Sequence, residues 1–178
     1  MEFIEFPKIP RYSRECVITE KIDGTNGCIF WDESVTHMLV GSRKRWITKD
    51  RDNFGFAEWA FNNFEELKKL GPGRHFGEWW GQGIQRGYGL KEKRFSLFNV
   101  KKWEDASIRP VCCSIVPVLF RGMFTTANVE HTLTWLAVTG NQAAPGFMCP
   151  EGIIIYHTTG NLLFKKTIEK DDWGKGTE

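Results

Sequence analysis

No stretch of this chain is both long and apolar enough to span a bilayer. Its first residues, Met1-Glu2-Phe3-Ile4-Glu5, are acidic where a secretory leader would be basic. A soluble, cytoplasmic protein with no membrane partner is therefore expected. There is no Cys-x-x-Cys pair and no histidine spacing of the kind zinc takes. The five cysteines, at 16, 28, 112, 113 and 149, are read as reduced, mostly buried thiols. A Gly-x-x-x-x-Gly-Lys-Ser/Thr loop is missing, which removes the P-loop ATPases. The run Gly81-Gln82-Gly83-Ile84-Gln85-Arg86 begins like a dinucleotide fingerprint. It ends in Arg86 instead of glycine and lacks a parallel βαβ setting, so that class is set aside too. Charge of one sign is also lacking: 24 Lys and Arg against 22 Asp and Glu leave a net +2. Any nucleic-acid partner must then be met by a local basic face rather than by a basic protein.

The 178 residues suffice for one domain with a sizeable core, and a single domain over 1–178 is expected. With 41% hydrophobic and 26% charged residues, the composition is that of a folded globular protein. Aromatics are abundant, with 8 Trp and 14 Phe. Some must be core and others can serve as stacking surfaces for bases. No internal repeat, linker or low-complexity tract interrupts the chain.

Residues 6–14, with Pro7, Pro10 and two arginines, read as an extended lead-in. Cys16-Val17-Ile18 and Cys28-Ile29-Phe30-Trp31 read as strands joined in a hairpin around Lys21. His37-Met38-Leu39-Val40 reads as a third strand, running into Gly41-Ser42-Arg43-Lys44-Arg45-Trp46. Asp50 to Gly55 is loop. Ala57, Ala60, Phe61, Phe64 and Leu67 recur at helical spacing up to Gly71-Pro72-Gly73, and a second helix is expected over 127–138, ending at Gly140. Phe95 to Val100 and Ser114 to Phe120 read as strands. Gly152 to Tyr156 and Leu162 to Phe164 flank Thr158-Thr159-Gly160-Asn161 as a hairpin. Hairpin-paired strands with two helices imply an α+β fold with antiparallel sheets.

Several charged residues stand among strand or glycine signals. Lys21 lies in Glu20-Lys21-Ile22-Asp23-Gly24-Thr25-Asn26-Gly27, where the glycines allow a turn or close approach to a ligand. Lysine becomes a nucleophile when desolvation or neighbouring cations favour its neutral form. Arg43 and Arg45 beside Trp46 offer phosphate contacts. Glu78 stands in Phe76-Gly77-Glu78-Trp79. Glu151, before the isoleucines of a buried strand, needs a partner, a metal or a ligand hydroxyl. Lys165 and Lys166 close an apolar strand, where a triphosphate would answer two cations. Trp46, Trp79, Trp80, Lys101, Lys102 and Trp103 are candidates for a nucleic-acid groove, with core the favoured reading for the tryptophans.

The order and wording of these motifs resemble the covalent nucleotidyltransferases, most closely the RNA-ligase-2 type of ATP-dependent RNA ligase, from Glu20 to about Lys166. DNA ligases and capping enzymes usually carry Arg two places after the Gly of Lys-x-Asp-Gly; this chain has Asn26. The resemblance implies a minimal adenylation domain whose antiparallel sheets flank a nucleotide cleft, with no OB-fold. It also implies ATP and Mg²⁺ or Mn²⁺ as cofactors. RNA ends or nicked duplex would be the substrates in an RNA repair activity, and a partner protein is a candidate source of a further substrate-binding domain. Lys21 would become lysyl-AMP, with Glu20, Gly24 and Asn26 around it and Asp23 in a variable role. Arg43 would contact phosphate, Arg45 being its rival. Glu78 would hold the ribose, and Phe98, or Phe95 in its place, would stack on adenine. Glu151 would assist the metal-dependent chemistry, and Lys165 would contact the α-phosphate. The family often ends in Lys-x-Lys, whereas here Thr167 stands for the second lysine, which leaves Lys166 as a possible substitute. A DNA ligase or capping-type nucleotidyltransferase, or a binding module with an inactive site, are the alternatives.

Overall fold

The computed structural model describes residues 1–32, 38–169 and 171. In chain order its strands and helices are β1 (Glu15–Lys21), β2 (Thr25–Trp31), β3 (Leu39–Ser42), β4 (Trp46–Ile47), α1 (Phe56–Asn62), α2 (Phe64–Leu67), β5 (Gly73–Gly81), β6 (Lys93–Leu97), α3 (Val100–Trp103), β7 (Cys113–Ile115), β8 (Val118–Met123), α4 (Thr126–Thr139), β9 (Gly152–His157) and β10 (Leu162–Thr167). They form two compact units. The first comprises Met1–Lys21, Val118–Gln142 and Met148–Glu178, and the second Ile22–Pro117 with Ala143–Phe147. The α+β expectation holds.

The first unit is built on a four-stranded antiparallel sheet in the order β10-β9-β1-β8. One face carries Cys16, Ile18, Ile153 and Ile155 and packs on Val129 and Leu136 of α4. With buried Thr132 between them, these helix residues recur at three- and four-residue spacing, as a one-sided helix requires. Thr125 caps α4, its hydroxyl accepting from Asn128 N–H at 3.1 Å, and Gly140 ends it at φ 82°. Leu136 is fully buried, so its truncation to alanine would cost about 2–5 kcal/mol.

The second unit holds a six-stranded sheet in the order β4-β3-β2-β5-β6-β7. Its core face is an aromatic cluster: Phe56 lies 4.9 Å from Phe95 and 5.4 Å from Trp79, ring centre to ring centre. Glycine makes that packing possible. A Cβ on Gly27 would sit 2.6 Å from the Phe56 ring, and one on Gly77 would sit 2.7 Å from Phe95. The core reading of the tryptophans therefore holds for Trp79, Trp80 and Trp103, all buried, while Trp46 is exposed.

Several local expectations change. The runs flanking Lys21 are not a hairpin, because β1 lies between β8 and β9 while β2 lies between β3 and β5. Each strand has both edges paired elsewhere, so the turn crosses from one sheet to the other. Ser114 to Phe120 splits into β7 and β8 in different sheets, broken at Pro117, which has no N–H for a ladder. β7 pairs with β6 in parallel, an exception to the antiparallel rule. The strand expected over Phe95–Val100 ends at Leu97, and Val100 instead opens α3, where Asn99 accepts from Lys102 N–H. The first helix breaks at Asn63, whose side-chain amide donates to Trp59 O at 2.8 Å and so competes with the helical ladder. His37 lies outside the described residues, and the strand expected there begins at Leu39.

Candidate active site

Alternation along the first unit's sheet sorts its charged residues by face. Lys21 is in register with Gly152, and Gly152 with Thr167; Lys165 is in register with Ile154, and Ile154 with Thr19. Lys21, Lys165 and Thr167 thus share the face away from α4. Gly152 keeps that face open between Lys21 and Thr167, since a Cβ there would press on the β10 backbone, 2.7 Å from Thr167 Cα. The Lys21 ammonium pairs with Glu151 Oε1, both side chains about one-fifth exposed at 21% and 17%. Glu151 Oε2 is buried and has no hydrogen-bond partner among the described residues. A carboxylate oxygen left so is expensive unless a cation or a ligand hydroxyl completes it. Lys165 is exposed.

Glu20 and Lys166 fall on the other face. Glu20 is almost fully buried and accepts from the Asn141 amide and from Gln142 N–H at 2.9 Å. It therefore ties β1 to the segment after α4 instead of pointing where Lys21 does. Lys166, opposite Ile153, pairs with Asp171 at 3.1 Å and with Glu130 of α4 at 3.4 Å. The hydrogen bond that its ammonium donates to Asp171 raises its pKa. Asp171 is in turn held below the usual carboxylate range, first by Thr167 N–H at 2.8 Å and then by Lys166. The structure brings Lys165 to the face of Lys21 and takes Lys166 away from it.

In the second unit, Asn26 stands opposite Glu78, and its amide donates to Glu78 Oε2 at 3.0 Å. Both lie on the face away from the aromatic core. Gly24 has no room for a side chain, as a Cβ would meet Trp80 Cβ at 2.8 Å. Asp23 is held at both ends, its N–H donating to Tyr88 Oη at 2.6 Å and its carboxylate accepting from Arg86 Nε at 3.0 Å. Phe98 lies just past β6 on the same open face, fixed by its N–H to Phe76 O, and is 41% exposed. Phe95, the fallback for it, is fully buried in the core. Arg43 and Arg45 are not on a strand: Ser42 N–H donates to Arg45 O at 2.8 Å, closing a tight turn with both arginines exposed. Lys101 and Lys102 are exposed on α3, and the Lys102 ammonium sits 4.5 Å over the Trp103 ring.

A family model described as RNA ligase matches residues 14–175. The chain belongs to the RNA ligase family. No curated protein matches it at a significant level. Among solved structures it is similar to a variant of the Naegleria gruberi RNA ligase with ATP and Mn, at 21% identity and TM-score 0.61, over 85% of this chain and 48% of that one. A second variant, with AMP and Mn, gives 21% and 0.63 over 88% and 50%. The same ligase with PPi gives 21% and 0.62 over 86% and 49%. At this identity the likeness is one of fold. The chain spans about half the length of these RNA ligase structures.

Within this RNA ligase fold, three supports were not legible in the motifs. Asn141 and Gln142 carry no motif signal and reach Glu20 only through the fold. Arg86 closes the glycine run set aside as a fingerprint, yet it is the residue that holds Asp23. Tyr88, at φ 54°, fixes the Asp23 backbone from an unusual left-handed position. That signal becomes visible only once backbone angles are known.

Proposed function

We propose that this chain carries the nucleotidyltransferase chemistry of an ATP-dependent RNA ligase. Lys21 Nζ, its ammonium proton first lost to solvent, attacks the α-phosphate of ATP as the neutral amine. An N–P bond forms, the α–β anhydride breaks, pyrophosphate leaves with the bonding pair, and the nitrogen sheds a second proton to solvent as the phosphoramidate forms. The AMP then passes to an RNA 5′-phosphate. Attack by a 3′-hydroxyl joins the ends and releases AMP. The observation that carries this reading is the Lys21–Glu151 pair with a buried, unpartnered Glu151 Oε2, on the sheet face that also holds Lys165.

The other roles are assigned as the family resemblance implies them. Lys165, a cation on the nucleophile's face, neutralises α-phosphate charge as it builds. Glu78, oriented by Asn26, accepts from ribose hydroxyls, and Phe98 stacks on the adenine. Arg43 takes a phosphate from its exposed turn. Among the described residues no three metal-binding side chains cluster. A Mg²⁺ or Mn²⁺ ion fits all the same, since Mg²⁺ is ordinarily bound by one or two carboxylates plus substrate phosphates and water. Held by Glu151, that ion would supply charge neutralisation to the phosphates. Glu20 positions β1 through Asn141 and Gln142. Lys166, engaged with Asp171 and Glu130, holds β10 to α4 and is not given a phosphate. The reading assigns residues over 1–178 to one adenylyltransferase activity.

The test is joining of a nicked RNA duplex with a 5′-phosphate at the nick. Joining should need ATP and a divalent cation, and should disappear with Lys21→Ala. Joining that persists in Lys21→Ala, or that needs no nucleotide, would contradict the proposal.

A further inference from the structure

The open face of the six-stranded sheet holds more aromatic surface than one nucleotide uses. Trp46, Gly41, Cys28 and Phe76 are consecutive register partners across β4, β3, β2 and β5, and the Phe98 N–H bond to Phe76 O extends the row. The two middle residues are small. The outer ones are large and open: Trp46 is 47% and Phe76 53% exposed. The row thus sets two exposed aromatic side chains on one sheet face, with Gly41 and Cys28 buried between them. A Cβ on Gly41 would lie 3.1 Å from the Trp46 ring, so the indole rests over that glycine. Phe30, one pleat along, lies 6.2 Å from Trp46 and carries the Arg74 guanidinium 4.9 Å over its face. Beyond Trp46 the tight turn presents exposed Arg43, Lys44 and Arg45. Glu78, the acid on the neighbouring rung, is tied to Asn26.

Exposed aromatics on a rigid sheet edged by cations match what stacked bases and a phosphate backbone require. A protein-binding centre would instead be depleted of charge. We propose that this aromatic row binds single-stranded RNA, one base stacking on Trp46 and another on Phe76, with phosphates facing Arg74 and the turn at Lys44. The choice of RNA rests on the ligase reading; the row itself does not.

The experiment follows fluorescence anisotropy of a labelled single-stranded oligoribonucleotide of about ten nucleotides, titrated with the full chain. Trp46→Ala should weaken binding roughly tenfold, while Trp46→Phe keeps most of it because a π-face remains. Arg74→Gln should flatten the salt dependence by about one phosphate contact. Enzyme–AMP formation from labelled ATP, measured on the same preparations, should be unchanged in Trp46→Ala, which also shows that the variant is folded. Wild-type binding by Trp46→Ala, or equal loss in Trp46→Phe, overturns the proposal. A wild type that ignores the oligoribonucleotide at low salt overturns it too and leaves the row to a protein partner. Absent AMP labelling in the wild type would instead sink the ligase reading, and the anisotropy series would still decide the row.

Discussion

Lys165 and Lys166 are neighbours in sequence and lie on opposite faces of one sheet. Lys165 is exposed on the sheet face that carries Lys21 and the Glu151 pair, whereas Lys166 lies against α4, held by Asp171 and Glu130. One residue of register decides which lysine shares the face of Lys21, because side chains along a strand alternate between faces. Thr167, standing where the family often places a second lysine, is on the Lys21 face, so Lys166 cannot move into its place without a slip of the whole strand. The same contrast of faces recurs in the second unit. Phe95 is buried among Phe56 and Trp79, while Phe98, three residues on, is open to solvent.

The largest expected effect separates the two lysines. Lys165→Ala should slow enzyme–AMP formation at least about a hundredfold, the scale for losing one preorganised group at developing charge. Lys166→Ala should leave the rate within a few-fold, and it should lower stability by less than about 1 kcal/mol. Single-turnover labelling with ATP reads the first and denaturant melts the second. Equal losses of rate in both variants would break the comparison.

The phenylalanines sharpen it. Phe98→Ala should weaken ATP use by about 1–3 kcal/mol, with Phe98→Tyr milder. Phe95→Ala should instead cost about 3–5 kcal/mol of stability. Should ATP use fall while stability holds in Phe95→Ala, the adenine would be stacking on the core-side ring.

The smallest effect is a pH dependence confined to the α4 face. Asp171 has its folded pKa lowered from 3.8, first by Thr167 N–H and then by Lys166. Its contribution is therefore complete above that pH and is lost as pH falls through the lowered value. Lys166 is raised above 10.5 by Asp171, so its contribution is present below that pH and is lost only as pH rises past the raised value. Asp171→Asn should remove the acid-side part of this dependence, amounting to less than about 1 kcal/mol. An acid limb of the stability profile identical to that of the wild type would show that the carboxylate contributes nothing.

Much of this was legible where chemistry and local pattern coincide. The candidates Lys21, Glu78, Glu151 and Lys165 stand out by their motifs, and the fold pairs Lys21 with Glu151 and puts Lys165 on the face of Lys21. α4 with its Gly140 stop and the β9–β10 hairpin followed from periodicity and turn residues. What stayed hidden depends on partners distant in sequence. Nothing in Cys16-Val17-Ile18 or Cys28-Ile29-Phe30 says that the two runs join different sheets, since strand propensity does not name a partner. The tie from Asn141 to Glu20 spans 121 residues and that from Arg86 to Asp23 spans 63, distances at which a single sequence carries no pattern. The face of Lys166 was in principle readable from alternation, but its partners Glu130 and Asp171 were not.

The central claim is that Lys21 is the atom donor of the covalent intermediate. Incubation with ATP and Mn²⁺ or Mg²⁺, followed by denaturation, proteolysis and mass spectrometry, locates the AMP directly. It should lie on the peptide carrying Lys21 and be absent from Lys21→Ala, with Lys165 and Lys166 unmodified. AMP on either of those lysines, or labelling undiminished in Lys21→Ala, would contradict the account.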